Sequence, residues 1–295
     1  MADLMTAKNP LKTRVGIARG EEAYETTARL LDRRNFRVTG KVVLLKPNLT
    51  TLSSAESGIT TDVGVCRAIL ERLDGCRILI GEGSGGANTW TAFEQNGYVD
   101  LARRFDAKLV NFDEVQVVRK PIPAPLHFTE LPFARTVFDV DYLISAAKLK
   151  IHSLAQVTLS LKNMFGCVPR SEKLRVHPHI NRGILDIAQV IYPDFAVIDG
   201  IVGNERDEVD SFPVPSDIVL AGEDALSVDQ IGCRCMGVDP DDVEHLRRGV
   251  ERFGPRAIEL LGPSLSEVAR TYNRKRSRRG QWAVWGSRVL GWVRR

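Results

Sequence analysis

Short apolar runs rich in β-branched residues alternate along the chain with stretches of helical periodicity. The apolar runs predict strands at Val15–Ala18, Lys41–Leu45, Arg77–Ile80, Lys108–Asn111, Tyr142–Ala146, Phe195–Ile198 and Asp217–Ala221. The helical stretches lie at Glu21–Asn35, Asp62–Leu73, Val157–Phe165, Arg182–Ile191, Asp224–Met236 and Asp241–Arg252, with one more that ends at Phe105. This alternation is typical of an α/β fold, and we expect a doubly wound, mostly parallel sheet with helices on both faces.

Residues 115–140 interrupt the alternation. Proline cannot donate a backbone hydrogen bond to the interior of a sheet, and this segment holds Pro121, Pro123, Pro125 and Pro132. We therefore expect a short antiparallel excursion from the main sheet. The chain has no internal repeat, so we predict a single α/β domain at residues 12–273, followed by a tail at residues 274–295.

Polar residues follow several of the predicted strands. They are Lys46-Pro47-Asn48, the glycine-rich stretch from Gly81 to Gly86, the alternating Lys148, Lys150 and His152, and Asp199-Gly200. Ligands of open parallel sheets bind beyond the carboxyl ends of the strands. The topology therefore predicts that these groups converge on one rim of the sheet.

The glycine-rich stretch contains Gly81-x-Gly83-x-x-Gly86, a pattern that several kinds of loop share. A dinucleotide fingerprint closes the first strand–helix unit and has an acidic residue about 20 positions further on at a strand end. Here the pattern follows the third strand, and Asp106 lies in a helical stretch. A flexible loop or a phosphate-binding nest fits as well as a nucleotide site. The sequence has no Gly-x-x-x-x-Gly-Lys-Ser/Thr, which excludes a P-loop kinase or ATPase.

Lysines and a histidine concentrate between residues 145 and 169, which indicates a pocket for a carboxylate or phosphate; a charged strand edge is the alternative. Lysines that lie close together lower one another's pKa, which makes one of them a candidate base or nucleophile. For binding the anion we single out Lys46, Asn48, Gly83, Ser84, Lys148, Lys162 and Asn163. For catalysis we single out Glu82, His152, Asp199 and Lys150, with His177 as a further acid/base candidate.

The cysteines and histidines do not form a metal-binding pattern. The five cysteines are scattered and include no Cys-x-x-Cys, so we expect buried structural thiols and neither an iron–sulfur cluster nor a disulfide framework. His177 and His179 flank Pro178, and few further ligand candidates exist, so we predict no metal site. A Gly-x-Ser-x-Gly elbow is also missing, which weakens a hydrolase interpretation.

Composition adds a division between body and tail. Hydrophobic residues make up 43% and charged residues 26%, which are ordinary globular values. The net charge is +4, but residues 274–295 contain eight Lys or Arg and no Asp or Glu, which leaves −4 for residues 1–273. Trp282, Trp285 and Trp292 lie in the same tail. Basic and aromatic residues together favour an anionic membrane surface; nucleic acid binding and docking on the body are the alternatives.

Six motifs follow one another along the chain: Lys46-Pro47-Asn48, Gly81-Glu82-Gly83-Ser84, Lys148-x-Lys150-x-His152, the stretch from Leu161 to Gly166, Ile198-Asp199-Gly200 and Ser227-Val228-Asp229. In this order they resemble the family called domain of unknown function 362 (DUF362), over roughly residues 12–240. The resemblance implies one α/β domain and functional roles for the lysines and Glu82. Many family members are described as iron–sulfur proteins with a ferredoxin-like cysteine segment. This sequence has no such segment, so a redox role requires another cofactor or partner.

These observations favour an enzyme that acts on a small anionic substrate by charge stabilisation and acid/base chemistry. The alternatives are a redox or electron-transfer protein with a borrowed cofactor and a non-catalytic, membrane-associated binding module. No run approaches the ~18–20 apolar residues of a spanning helix, and residues 1–12 lack the apolar core of a signal peptide. We expect a cytoplasmic location, with peripheral attachment to the inner face of the membrane through the tail.

Overall fold

A computed structural model describes residues 9–282, in which strands and helices alternate largely as the hydrophobic pattern predicts. The strands are β1 (Leu11–Arg19), β2 (Val38–Thr39), β3 (Val42–Lys46), β4 (Leu73–Asp74), β5 (Arg77–Glu82), β6 (Lys108–Asn111), β7 (Val117–Pro121), β8 (Glu130–Ala134), β9 (Tyr142–His152), β10 (Gln156–Val157), β11 (Phe195–Asn204), β12 (Pro213–Gly222) and β13 (Arg256–Leu261). The helices are α1 (Ala23–Arg33), α2 (Val63–Leu70), α3 (Thr89–Gln95), α4 (Tyr98–Arg104), α5 (Leu159–Asn163), α6 (Arg170–Val176), α7 (Ile180–Ala188), α8 (Ala225–Cys235), α9 (Glu244–Phe253) and α10 (Leu265–Val268).

One large sheet runs through the molecule in the order β13-β1-β12-β11-β9-β3-β5-β6, with β10 paired to β9. Strands β11, β9, β3, β5 and β6 are parallel to one another, and β13 is parallel to β1. Strand β12 is antiparallel to both of its neighbours, β1 and β11. The predicted α/β class with a mostly parallel sheet is confirmed.

The antiparallel excursion is confirmed where the prolines predict it. Strands β7 and β8 form a separate two-stranded antiparallel sheet, in which Val117 lies opposite Ala134 and Pro121 lies opposite Glu130. Phe128 and Phe133 from this segment pack in a third apolar cluster, which also contains Leu44 and Leu79 of the parallel sheet. The excursion therefore covers the molecule beside the parallel sheet and contributes a third cluster to the interior.

Helices cover both faces of the large sheet. Successive strand residues point to opposite faces, so Ile198 packs in one apolar cluster and Val197 in another. The first cluster includes Leu161 of α5 and Ile184 of α7, and the second contains residues of α1, α2 and α4. Both clusters are almost fully buried. The hydrophobic periodicity of the strands thus places the helices on the two faces.

Three elements differ from the sequence prediction. Strand β9 continues to His152, beyond the predicted end at Ala146, and β11 continues to Asn204 through an irregularity after Asp199. Helix α5 is shorter than predicted, because positive φ angles at Gln156 (68°) and at its first residue Leu159 (49°) delay its start, and Met164–Cys167 follow as a 3-10 turn. The pattern also missed α6 and β13. In α6 a lysine occupies one of the two buried positions, Lys173 and Val176, and no residue of β13 is fully buried.

Candidate functional site

A cavity of about 270 Å³ opens at the carboxyl ends of β3 and β5 and beside α5 and α6. Strand β9 contributes His152 at its last position, and the loop after β11 contributes Glu208. The wall consists of Lys46, Asn48, Thr50, Thr51, Glu82, Gly83, Gly85, Gly86, His152, Lys162, Asn163, Phe165, Gly166, Lys173, His177, Glu208 and Val209. This is the rim at which an open parallel sheet binds its ligands.

A buried ion pair forms the floor of this cavity. Lys46 Nζ donates to Glu82 Oε1 at 2.8 Å, and both side chains are almost fully buried. The backbone N–H of Leu49 donates to the second oxygen of Glu82 at 2.9 Å. Gly166 lies so close to the pair that an added Cβ would come within 2.6 Å of it. The charge of Lys46 is therefore already neutralised before a ligand enters.

Asparagines connect the ion pair to strand β9. Asn163 Oδ1 accepts from Lys46 Nζ and from Asn48 Nδ2, both at 3.1 Å. Asn48 Oδ1 in turn accepts from Lys150 Nζ at 2.8 Å, and Lys150 also donates to the carbonyl of Ile59 at 2.8 Å. Burial without a carboxylate partner lowers the pKa of Lys150 to about 7. Lys150 thus lies behind the wall of the cavity and supports Asn48.

A second buried ion pair lies on a different side of the same rim. Lys148 Nζ donates to Asp199 Oδ2 at 2.7 Å, and the backbone N–H groups of Asp62 and Ile201 also donate to Asp199. Burial, with the charge of Asp199 as the next cause, raises the pKa of Asp62. Lys148 lines a wider cavity of about 600 Å³ together with Asp62 and residues of α1 and α4. The structure therefore divides the predicted lysine cluster between two cavities.

Two histidines on the wall of the smaller cavity carry their protons on different ring nitrogens. His152 Nδ1 accepts from the backbone N–H groups of Leu154 at 3.1 Å and Ala155 at 3.3 Å, so its proton is assigned to Nε2. His177 Nδ1 donates to the carbonyl of Lys173 at 2.6 Å, which leaves a lone pair on Nε2. Burial, followed by the positive charge of Lys162, lowers the pKa of His177 to about 4 and that of His152 well below its usual value.

The remaining amines of the cavity are those of Lys162 and Lys173. Lys173 Nζ donates to the carbonyl of Gly83, and burial lowers its pKa. Lys162 Nζ lies 4.3 Å from the centroid of the Phe165 ring, and within residues 9–282 it makes no hydrogen bond or ion pair. Burial also lowers the pKa of Lys162 to about 7, and the charge of Glu208 opposes this shift.

Asp229 of helix α8 positions the short helix α5. Its two carboxylate oxygens accept from the backbone N–H groups of Ser160 at 2.7 Å and Leu161 at 2.9 Å. These donors belong to the first turn of α5, where a helix leaves its N–H groups unpaired. The contact holds α5 against the end of the sheet, and α5 carries both Lys162 and Asn163 into the cavity wall.

The structure brings most of the predicted site residues together. Those on the wall of the smaller cavity are Lys46, Asn48, Glu82, Gly83, His152, Lys162, Asn163 and His177. Ser84 is buried just behind it and donates to the carbonyl of Leu49. Lys150 lies behind Asn48, and Lys148 and Asp199 face the other side. The roles assigned to these residues from the sequence stay predictions.

Sequence reasoning missed Lys173, Glu208 and Phe165 on this wall. Lys173 precedes His177 by four residues, which is helical spacing, but the polar segment that contains Lys173 has no apolar period to indicate a helix. Glu208 reaches the cavity from a loop, where it accepts from the N–H and hydroxyl groups of Ser153 at 2.6 and 2.8 Å. No spacing in the sequence identifies such a contact.

The beginning of the predicted tail contacts the loop that carries Glu208. Asp207 Oδ2 accepts from the backbone N–H of Ser277 at 2.8 Å, and Arg276 Nε donates to the carbonyl of Ser153 at 2.9 Å. Trp282 follows and is 68% exposed. The predictions for Trp285 and Trp292 fall outside the described residues. None of the helices in residues 9–282 is long and apolar enough to cross a membrane.

The fold and the cavity define a class, that of α/β proteins whose parallel strands end at a buried cavity lined with lysine and histidine. The sequence profile of "Domain of unknown function (DUF362)" matches residues 43–234 of the chain. The chain belongs to this family, which confirms the resemblance carried by its motifs.

Two further proteins resemble the chain. The thylakoid-associated protein sll1697 of Synechocystis sp. is 27% identical over 241 residues, which cover 78% of this chain and 74% of the relative. The structure of the lactate racemase apoprotein from Thermoanaerobacterium thermosaccharolyticum matches with a TM-score of 0.47 and 13% sequence identity, over 79% of this chain and 58% of that chain. The match thus spans less than two thirds of the racemase chain, and the likeness is one of fold alone.

Proposed function

We propose that the protein is an enzyme that binds a small carboxylate- or phosphate-bearing substrate in the 270 Å³ cavity and moves a proton to or from that substrate. The observation that carries this proposal is the pair of imidazoles with opposite proton positions. His177 Nε2 has a free lone pair and can take a proton, whereas His152 Nε2–H can donate a hydrogen bond to an oxygen that becomes negative. A binding module has no need of such a pair.

The charges of the cavity support an anionic substrate. The Lys46 and Glu82 charges cancel, and Glu208 is held by Ser153, so Lys162 and Lys173 are the cations with the fewest partners on the wall. Lys173 is buried and Lys162 half-buried in the wall, where an ion pair with the ligand is stronger than in water. A volume of about 270 Å³ suits a metabolite rather than a polymer.

We expect small anions to stabilise the full chain in thermal-shift and calorimetric titrations with phosphate, malonate, pyruvate and phosphoglycolate. Lys173→Met should weaken the binding of a responsive anion about tenfold, because a charge-assisted hydrogen bond contributes roughly 1.5 kcal/mol or more. Affinity should also fall as the pH rises through 7, since the pKa of Lys162 is about 7 and its neutral amine no longer attracts an anion.

The matched control for this titration is Lys108→Met, at the exposed start of β6. This variant should bind like the wild type. Equal affinity of the wild type and Lys173→Met, or no stabilisation by any of the four anions, would contradict the proposed function.

We also propose that the tail attaches the protein to an anionic membrane surface. Support comes from the tail's composition, the exposed side chain of Trp282, and the thylakoid association stated for the relative. Each Lys or Arg near such a surface contributes about 1 kcal/mol of attraction. Residues 283–295 hold Arg288, Arg294 and Arg295 besides Trp285 and Trp292.

Sedimentation with vesicles of phosphatidylglycerol and phosphatidylcholine tests the attachment. The shortened chain should end at residue 282, because Arg276 and Ser277 contact the loop beside the cavity and their removal would disturb it. We expect the full chain to pellet with anionic vesicles, less so in high salt, and the 1–282 chain to stay in the supernatant. Equal pelleting of the two chains would overturn the membrane proposal.

A further inference from the structure

We propose that Lys162 is a covalent nucleophile, whose amine forms a Schiff base with the carbonyl carbon of a small carbonyl-bearing anion such as a 2-oxo acid. The proposal deepens the proposed function and rests on it, since it names the substrate class of the same cavity. It also moves the nucleophilic role from Lys150, for which the sequence suggested it, to a different lysine.

The contacts of the lysines separate Lys162 from the others. Lys46 and Lys148 each pair with a buried carboxylate, at 2.8 and 2.7 Å. Lys150 is held by an amide oxygen and a carbonyl, and Lys173 by a carbonyl. Of these five amines, only that of Lys162 lacks a hydrogen-bond acceptor within the part of the chain that the structure describes. Its nitrogen is therefore free to approach a ligand.

The surroundings of Lys162 favour the neutral amine, which is the form that attacks a carbonyl. The aromatic ring of Phe165 lies against the nitrogen, and the side chain is half-buried in the wall of the cavity. With a pKa of about 7, the Lys162 side chain is neutral in roughly half of the protein molecules at pH 7, whereas an ordinary lysine of pKa 10.5 is almost wholly protonated. The contacts of Lys162 and its lowered pKa thus both favour this residue as the nucleophile.

The two imidazoles supply the proton transfers that imine formation needs. The amine adds to the carbonyl carbon and loses a proton to His177 Nε2, which returns it to the oxygen to give a carbinolamine. The Nε2–H of His152 donates a hydrogen bond to that oxygen throughout, as a neutral imidazole can. A second proton, from solvent, then lets the hydroxyl leave as water. The balance is amine plus carbonyl plus H⁺, giving iminium plus water.

The carboxylate of the substrate has a place in the same cavity. The amine of Lys173 lies at the Gly83 end of the wall, beside the glycine-rich loop. A 2-oxo acid carries its carboxylate next to the carbonyl, so one end can pair with Lys173 while the other meets Lys162. A neutral ketone lacks this anchor. Reactivity should therefore require both the carbonyl and the negative charge.

The test is reductive trapping on the full-length protein at pH 7. Pyruvate or glyoxylate is added with cyanoborohydride, and the adduct is located by intact mass and peptide mapping. We expect one adduct per chain, on Lys162, with acetone at least about tenfold less reactive. Lys162→Arg keeps the positive charge but removes the nucleophile and should abolish the adduct, whereas Lys108→Arg should react like the wild type.

The rate of trapping adds a readout that a merely structural lysine does not give. It should reach half of its maximum near pH 7 rather than near the usual pKa of lysine. If the anions bind but no adduct forms, or if labelling is spread over surface lysines and survives in Lys162→Arg, the Schiff base is wrong and the proposed function stands. If no anion binds at all, the proposed function fails with it.

Discussion

Glu82→Gln is expected to lower the free energy of unfolding by about 3–5 kcal/mol, because it leaves the ammonium of Lys46 buried without its counter-charge. The carboxylate also accepts from the backbone N–H groups of Leu49 and Gly83. A glutamine has one acceptor oxygen and one NH₂, so it turns a donor toward at least one of these donors. Urea denaturation monitored by circular dichroism measures the loss.

A matched control is the ion pair of Arg103 and Asp100, which has a similar N–O distance of 3.0 Å but side chains that are 75% and 85% exposed. Asp100→Asn should change the free energy of unfolding by less than about 1 kcal/mol, since water already solvates both charges. The double variant Lys46→Met/Glu82→Gln should be more stable than Glu82→Gln alone. A loss of under about 1 kcal/mol in Glu82→Gln, or no recovery in the double variant, would contradict this account.

Acid should destabilise the protein through His245, which is fully buried in helix α9. Its Nδ1 donates to Asn181 Oδ1 at 3.2 Å, and within the described residues its Nε2 has no hydrogen-bond partner. Burial, with the charge of Lys162 as a smaller cause, lowers its pKa to about 3. The unfolded chain, with a histidine pKa near 6.5, therefore takes up a proton at a pH where the folded chain does not.

The direction of the pH dependence of stability follows from this difference in proton binding. The stability from neutral His245 is fully present above pH 6.5 and decreases as the pH falls toward 3, by about 1.4 kcal/mol for each pH unit. Between pH 6.5 and 4.5 the wild type should lose about 2 kcal/mol more than His245→Gln, which cannot take up a proton. Urea denaturation of both proteins across this range measures the difference.

His127→Gln serves as the comparison, because His127 is partly exposed in a stacked pair with His179. Its replacement should leave most of the pH dependence in place. If the curves of the wild type and His245→Gln run parallel between pH 6.5 and 4.5, His245 does not contribute to acid unfolding. Other carboxylates and histidines act on all three proteins alike, so the difference between curves isolates the one side chain.

Much of the fold could be predicted because its signal is local. Lys108–Asn111 is predicted as a strand and forms β6, and the prolines near 121–132 predict the antiparallel hairpin. Predictions failed where burial contradicts residue type. The strand predicted at Tyr142–Ala146 is longer than its apolar run, since the lysines that follow are buried and partnered and β9 continues to His152. Polarity in a sequence does not reveal a partner in the structure.

The candidate site shows the same limit. Strand ends that converge on one rim are a consequence of parallel topology, so Lys46, Glu82 and His152 could be placed together in advance. The position of Lys148 in the wall of another cavity could not be predicted, because it depends on the side of the rim to which its side chain turns. The contribution of Glu208 could not be predicted either, because Glu208 reaches the cavity from a loop without a recognisable pattern.

Periodicity and motif order are properties of neighbouring residues, so the amino-acid sequence is enough to establish the fold class, the family and the rim at which chemistry is expected. Which charges cancel depends on the folded structure. Lys46 pairs with Glu82, 36 residues away, and Lys148 with Asp199, 51 residues away. Such pairings depend on distances of a few ångströms between remote segments. They leave Lys162, which the sequence offered as one cation among several, as the amine free to react.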